Sequence, residues 1–193
     1  MDIARTPLTL TAQALHSCGI LHGDVKCDNV LVFLTTDGTA ENWTAKLTDF
    51  GHSVLNIRSG TLTRQKIPIG TIMFSPPEIT NPGAPFYEDM ADKVDIWCFG
   101  MLLWQLIIDG DAFKLDADNM IDFGKMIELR RDGQVSGVAE AQCKRHMEVN
   151  HGENRELHAE VLGILKSTLE PDSRNRPTAT QLSTRLLKLA KSQ

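Results

Sequence analysis

His22-Gly23-Asp24-Val25-Lys26-Cys27-Asp28-Asn29 places a carboxylate, an amine and a carboxamide within one short run. Asp24 can accept a proton from a hydroxyl, and Lys26 can neutralise a phosphoryl group. Asn29 offers an oxygen ligand to a hard cation such as Mg²⁺. Further on, Asp49-Phe50-Gly51 adds a second acidic oxygen, with a glycine behind it that permits an unusual backbone angle. An Asp-x-Lys-x-x-Asn run alone is a weak signal, because surface loops hold the same residues. Followed by an apolar strand, a hairpin and Asp-Phe-Gly, it is a strong one.

Those side chains need elements to hold them. Thr6-Pro7 reads as an N-cap with proline at the first helical position; Leu8, Ala12 and Leu15 then share one face, and Gly19 fits the stop. Val30 to Phe33 predicts a short strand, Asp37-Gly38 a turn, and Thr44 to Thr48 the returning strand that delivers Asp49. An antiparallel pair ending in two ligand-bearing loops keeps those ligands close. Residues 52–78 carry no sustained period and are rich in Ser, Thr, Gly and Pro, which predicts a long loop. Within it, Ser59, Thr61 and Thr63, with Arg58 and Arg64 nearby, are candidate phosphorylation sites, with an ordinary polar loop as the alternative.

Ile96 to Ile108 is apolar nearly all round apart from Gln105, the pattern of a buried helix, with Asp95 where a carboxylate meets free backbone amides. An acidic loop is expected over Asp109 to Asn119 and an amphipathic helix over Met120 to Arg131, ending at Asp132-Gly133. Further helices are expected at about Ser136 to Glu148, through the stripe Leu157, Val161, Leu162, Leu165 and Leu169, and from about Ala179 to Lys191.

The chain has 193 residues, 41% of them hydrophobic, enough for one well-buried core. A net charge of −5 without a basic stripe argues against a nucleic-acid surface. Cys18, Cys27, Cys98 and Cys143 lie far apart, without zinc-ligand spacing, and read as free thiols. No signal peptide is visible and the longest apolar run is too short to span a bilayer. The chain reads as intracellular, with no membrane partner; its oligomeric state is open.

The series of motifs resembles the protein kinase family, whose catalytic loop reads H-R-D-L-x-x-x-N and whose metal loop reads D-F-G. The resemblance runs from about residue 6 to the C-terminus and includes Gly70-Thr71, Pro77-Glu78, Asp95-x-Trp97-x-x-Gly100 and Arg176-Pro177 in order. It implies a mainly α (α+β) fold: the helical large, C-terminal lobe of a kinase with a small β-hairpin at its catalytic face. It implies phosphoryl transfer from ATP to serine or threonine of a protein substrate, with Lys26 and Thr71 fitting the serine/threonine branch. Asp24 would be the catalytic base with Lys26 beside it. Asn29 and Asp49 would hold Mg²⁺ and Leu31 would floor the adenine, so that Lys26, Asn29, Leu31 and Asp49 form the nucleotide side. His22 and Phe50 would be packing residues. Asp95 would tie the catalytic loop to its helix, and Glu78 and Arg176 would form a buried structural pair.

Two departures stand out. Gly23 occupies the place of the arginine that pairs with a phosphorylated activation loop. Before residue 20 there is no G-x-G-x-x-G loop, no V-A-I-K lysine and no helix glutamate to pair with it, so residues 1–193 are expected to be a partial kinase domain. A truncated or pseudokinase-like interaction module is the alternative. A small-molecule phosphotransferase of similar fold is a further rival, against which the long segment ending in Pro77-Glu78 argues.

Overall fold

Ten residues free of proline and glycine, Leu8–Ser17, form α1, and Gly19 at φ +71° turns the chain out of it. The computed structural model describes residues 8–36, 41–109, 114–116, 119–150 and 154–191. The predicted cap at Thr6-Pro7 and the turn at Asp37-Gly38 lie outside them. After the loop His22–Asn29, Val30–Thr36 (β1) and Glu41–Leu47 (β2) pair antiparallel from Val30↔Leu47 to Thr36↔Glu41. Both strands run longer than the sequence pattern predicts. Only the root is anchored, by the buried Leu47, while Leu31, Val32, Phe33, Leu34 and Trp43 are exposed.

The segment from 48 to 76 is irregular, as its composition predicts, and is broken by single 3₁₀ turns. It is zipped to the chain entering the catalytic loop: Leu21 and Val54 exchange both backbone hydrogen bonds at 3.0 Å, and the Ile57 amide donates to the Gly19 carbonyl. The four-residue helix Pro77–Thr80 (α2) follows, started by proline at its first position.

Lys93–Ile107 forms α3, which begins a little before the apolar run and places Asp95 inside its first turn. Ile96, Trp97, Met101, Leu102 and Trp104 are all fully buried. Burying a side chain of that size stabilises by about 1.5–3 kcal/mol, which makes α3 the post of the core. The main core runs along it to Met126, Leu129, Val135, Ala139, Cys143, Leu165 and Leu169, and a second cluster joins Ile96 to Ile164, Ala179 and Leu182.

The expected acidic loop after α3 is corrected in part, because Lys114–Asp116 (β3) pairs with Asn119–Met120 (β4). Strands that short show no period. Phe123–Arg131 is α4, started by Asp122, whose side chain accepts from the Lys125 amide, and ended by Gly133 at φ +66°. Val135–Asn150 (α5), Arg155–Thr168 (α6, N-capped by Asn154) and Ala179–Lys191 (α7) complete the helices. Thr178 and Gln181 cap α7 reciprocally, amide to side chain in both directions. The architecture is mainly α with small antiparallel sheets, as expected. All four cysteines are free, and among the described residues no helix is long and apolar enough to cross a membrane.

Candidate active site

The loop His22–Asn29 hangs from α3. Asp95, only 1% exposed, accepts the His22 amide at Oδ2 and the Gly23 amide at Oδ1, both at 2.9 Å. His16 at the end of α1 adds its Nε2 to Oδ2 at 2.8 Å. His22 is a packed residue, as predicted: its Nε2 lies 3.0 Å from the Thr48 carbonyl and its ring lies 5.1 Å from that of Phe50. Gly23 has φ +81°, and a Cβ there would meet the His52 carbonyl oxygen at 2.5 Å. The arginine of the family pattern therefore has no place on this backbone.

Asp24 is engaged at both oxygens and 3% exposed. Oδ1 accepts the Thr71 amide at 2.6 Å, and Oδ2 accepts Asn29 Nδ2 at 3.0 Å and lies 3.2 Å from Lys26 Nζ. Lys26 Nζ also donates to the Thr71 hydroxyl at 2.6 Å. Burial pushes the Asp24 carboxyl up, but the Thr71 and Lys26 hydrogen bonds and the lysine charge outweigh it, so its pKa lies below the usual value. Gly70 makes the approach of Thr71 possible, since a Cβ there would sit 2.7 Å from Asp24 Oδ1.

Asn29 also donates from Nδ2 to the Asp24 carbonyl at 2.8 Å, and its own carbonyl accepts the Thr48 amide at 3.0 Å. That last bond ties the root of β1 to the end of β2 and seats Asp49 beside the loop. Asp49 adopts a left-handed conformation, φ 61°, held by the Gly51 amide donating to its Oδ1 at 3.1 Å. Such a backbone costs about 1–3 kcal/mol and persists only where its surroundings fix it. Among the described residues Oδ2 of Asp49 has no protein partner. Leu31 follows on β1 and is 49% exposed. Phe50 corrects the expectation of a core residue: it is 50% exposed, because only one face meets His22.

Below the site, Arg176 forms a forked pair with Glu78, Nη1 to Oε1 at 2.6 Å and Nη2 to Oε2 at 2.8 Å. It donates further to the carbonyls of Lys93, Pro171 and Glu170, and stacks over Trp97. This satisfies all the N–H groups of the guanidinium and joins α2, the start of α3 and the α6–α7 connection.

The protein kinase domain model matches residues 7–186. The chain belongs to that family. It is 30% identical over 178 residues to the serine/threonine-protein kinase chk-2 of Caenorhabditis elegans, covering 91% of this chain and 31% of the relative. To the serine/threonine-protein kinase CHK1 of Saccharomyces cerevisiae it is 28% identical over 166 residues, 86% of this chain and 27% of the relative. The chain thus spans less than a third of the length of these curated relatives. A crystal structure of the Rad53 kinase domain and SCD2 aligns with a TM-score of 0.58 at 18% identity, over 93% of this chain and 51% of that one. That likeness supports the kinase fold.

Asp24 is thus joined to Asn29 by a direct hydrogen bond and to Lys26 by an ion pair, and Asp49 is held next to them through the backbone. Sequence reasoning missed His16 as part of the support. The available signal was its place on the Leu8-Ala12-Leu15 face, where a histidine interrupts an apolar stripe. It also missed Thr71 as a direct partner of Asp24 and Arg130, a charged residue at a buried position of α4.

Proposed function

We propose that this chain is the catalytic lobe of an ATP-dependent protein serine/threonine kinase. The observation that carries the reading is the single network linking Asp24, Lys26, Asn29 and Thr71. Asp24 stays ionised at neutral pH and orients the acceptor hydroxyl, taking its proton as the phosphoryl group transfers. Lys26 bridges Asp24 to Thr71 and offsets charge on the transferring group. Leu31 lies beneath the adenine.

The donor set fits a hard divalent cation. Asp49 has an unpartnered carboxylate oxygen, and the amide nitrogen of Asn29 is committed to Asp24, which leaves its oxygen as the ligand. Among the described residues there is no cluster of three acidic, histidine or cysteine side chains that forms an all-protein cage. Two protein oxygens completed by water and phosphate are what Mg²⁺ takes in such sites. Mg²⁺ bound there would neutralise charge on the phosphate oxygens.

The glycine-rich cover and amine clamp for the α- and β-phosphates would come from outside residues 1–193. Positioning and electrostatics supply nearly all catalysis in phosphoryl transfer, so these residues alone are expected to turn over very slowly. The test is radiolabelled phosphate transfer to a generic protein substrate, measured for the natural full-length protein and for residues 1–193, with Asp24→Asn as control. Transfer by the longer form that falls at least 100-fold in the control supports the reading. Robust transfer by residues 1–193 overturns the need for a cover.

A non-catalytic interaction module is the second reading, favoured by the near-complete burial of Asp24 behind Thr71. It predicts no transfer by any form of the protein, and Mg-ATP affinity unchanged by Asp49→Ala.

A further inference from the structure

Arg130 is 3% exposed on α4, in step with the buried Met126 and Leu129, at a position where the helix pattern calls for an apolar side chain. Its Nη2 donates to the Met73 carbonyl at 2.5 Å, while Nε and Nη1 have no partner among the described residues. Arg176, equally buried, satisfies every N–H it has. Burial lowers the Arg130 pKa to about 10, and among the described residues no carboxylate pairs with it. A buried cation with one hydrogen bond is costly to keep, so that bond is the feature to explain.

Met73 lies in a tight turn. The Phe74 amide donates to the Thr71 carbonyl at 2.8 Å, and the Ser75 amide to the Ile72 carbonyl at 3.3 Å. The Ser75 hydroxyl returns to the Thr71 carbonyl. A hold on Met73 is therefore a hold on Thr71, whose amide and hydroxyl meet Asp24 and Lys26. Cys98 of α3 takes the next carbonyl, donating its thiol to Phe74 O at 3.4 Å. Successive carbonyls are thus held from two helices.

We propose that Arg130 is a positioning residue for the catalytic centre: from α4 it pins the Met73 carbonyl and so sets the Thr71 amide against Asp24. The role of Asp24 rests on the kinase reading above, but the pinning does not, and the experiment separates them. Amide hydrogen exchange is measured by NMR on the intact protein for wild type, Arg130→Met and Arg130→Lys. Methionine keeps the apolar stem and removes the donors; lysine keeps one donor and the charge.

In Arg130→Met, exchange at Thr71 and Phe74 is expected to rise at least tenfold, while Val94 to Leu102 in α3 stay within threefold of wild type. Arg130→Lys is expected to restore Thr71 to within threefold. Unchanged exchange at Thr71 in Arg130→Met overturns the proposal. So does an equal rise throughout α3, which marks a merely structural residue, or a lysine variant as fast as the methionine one. Should Arg130→Met fail to fold, loss of Thr71 protection in Arg130→Lys overturns it and retention supports it. A protein without kinase activity would show zero turnover in all three forms with the exchange result still readable.

Discussion

Replacing Asp95 by alanine strands two buried backbone amides, those of His22 and Gly23, together with the His16 ring. Each unpaired buried donor costs about 1–3 kcal/mol. Replacing Asp24 strands fewer groups: Lys26 keeps the Thr71 hydroxyl and Asn29 keeps the Asp24 carbonyl, which leaves the Thr71 amide alone. Urea unfolding at neutral pH is expected to rank Asp95→Ala as the larger loss, and equal losses would refute the tie assigned to Asp95. Asp24 adds a pH signature. Its folded pKa lies below its ordinary value of 3.8, so its stabilisation is full above that value and fades as pH falls through the folded one. The stability gap between wild type and Asp24→Asn should therefore shrink below about pH 4. Gly23→Ala is a separate test of fit. The left-handed backbone alone costs about 1–2 kcal/mol for a residue with a Cβ, and the His52 carbonyl adds a clash. A melting temperature unchanged in Gly23→Ala would show that the loop can shift. Arg64, one of the two arginines near Ser59, Thr61 and Thr63, is already spent on the Asn81 and Ala84 carbonyls.

The Glu78–Arg176 pair works between elements, since it clamps α2, the entry to α3 and the turn before α7. Glu78→Ala should cost about 3–5 kcal/mol, because it leaves a guanidinium buried without its counter-ion. The double replacement Glu78→Met with Arg176→Met should cost less than Glu78→Ala alone, and chemical denaturation of the variants decides it. This clamp was legible from the order of motifs, as were α3 from its all-round apolarity, α6 from its leucine stripe and α7 from its boundaries. What stayed hidden depends on partners distant in sequence. The burial of Asp24 comes from Thr71, and the exposure of Phe50 follows from its meeting His22 on one face alone, which no local pattern encodes. β3 and β4 are too short for periodicity to register. Arg130 was passed over because an arginine in an amphipathic helix reads as solvent-facing until the helix is docked.

Across the whole molecule the core runs along α3, with the His22–Asn29 loop hung from its first turn and the hairpin anchored to the core only at its root, Leu47. The hairpin has a colloidal consequence. Among the described residues β1 and β2 form a sheet of two strands, so each is an edge, and β1 reads Val-Leu-Val-Phe-Leu-Thr-Thr without a charge. An uncharged, β-branched and aromatic segment with an open edge is a template for stacking with its copies. A net charge of −5 over the chain gives modest repulsion against that. Heating should therefore drive chains together through β1 before the helical core has melted, and the apparent midpoint should fall as concentration rises. Val32, 59% exposed, is the place to interrupt it. Val32→Lys should leave the far-ultraviolet circular dichroism unchanged and sharply reduce light scattering during a thermal ramp. Scattering that persists unchanged would move the origin of clumping elsewhere. The lobe would thus have a shelf life set by a few uncovered strand residues rather than by its core.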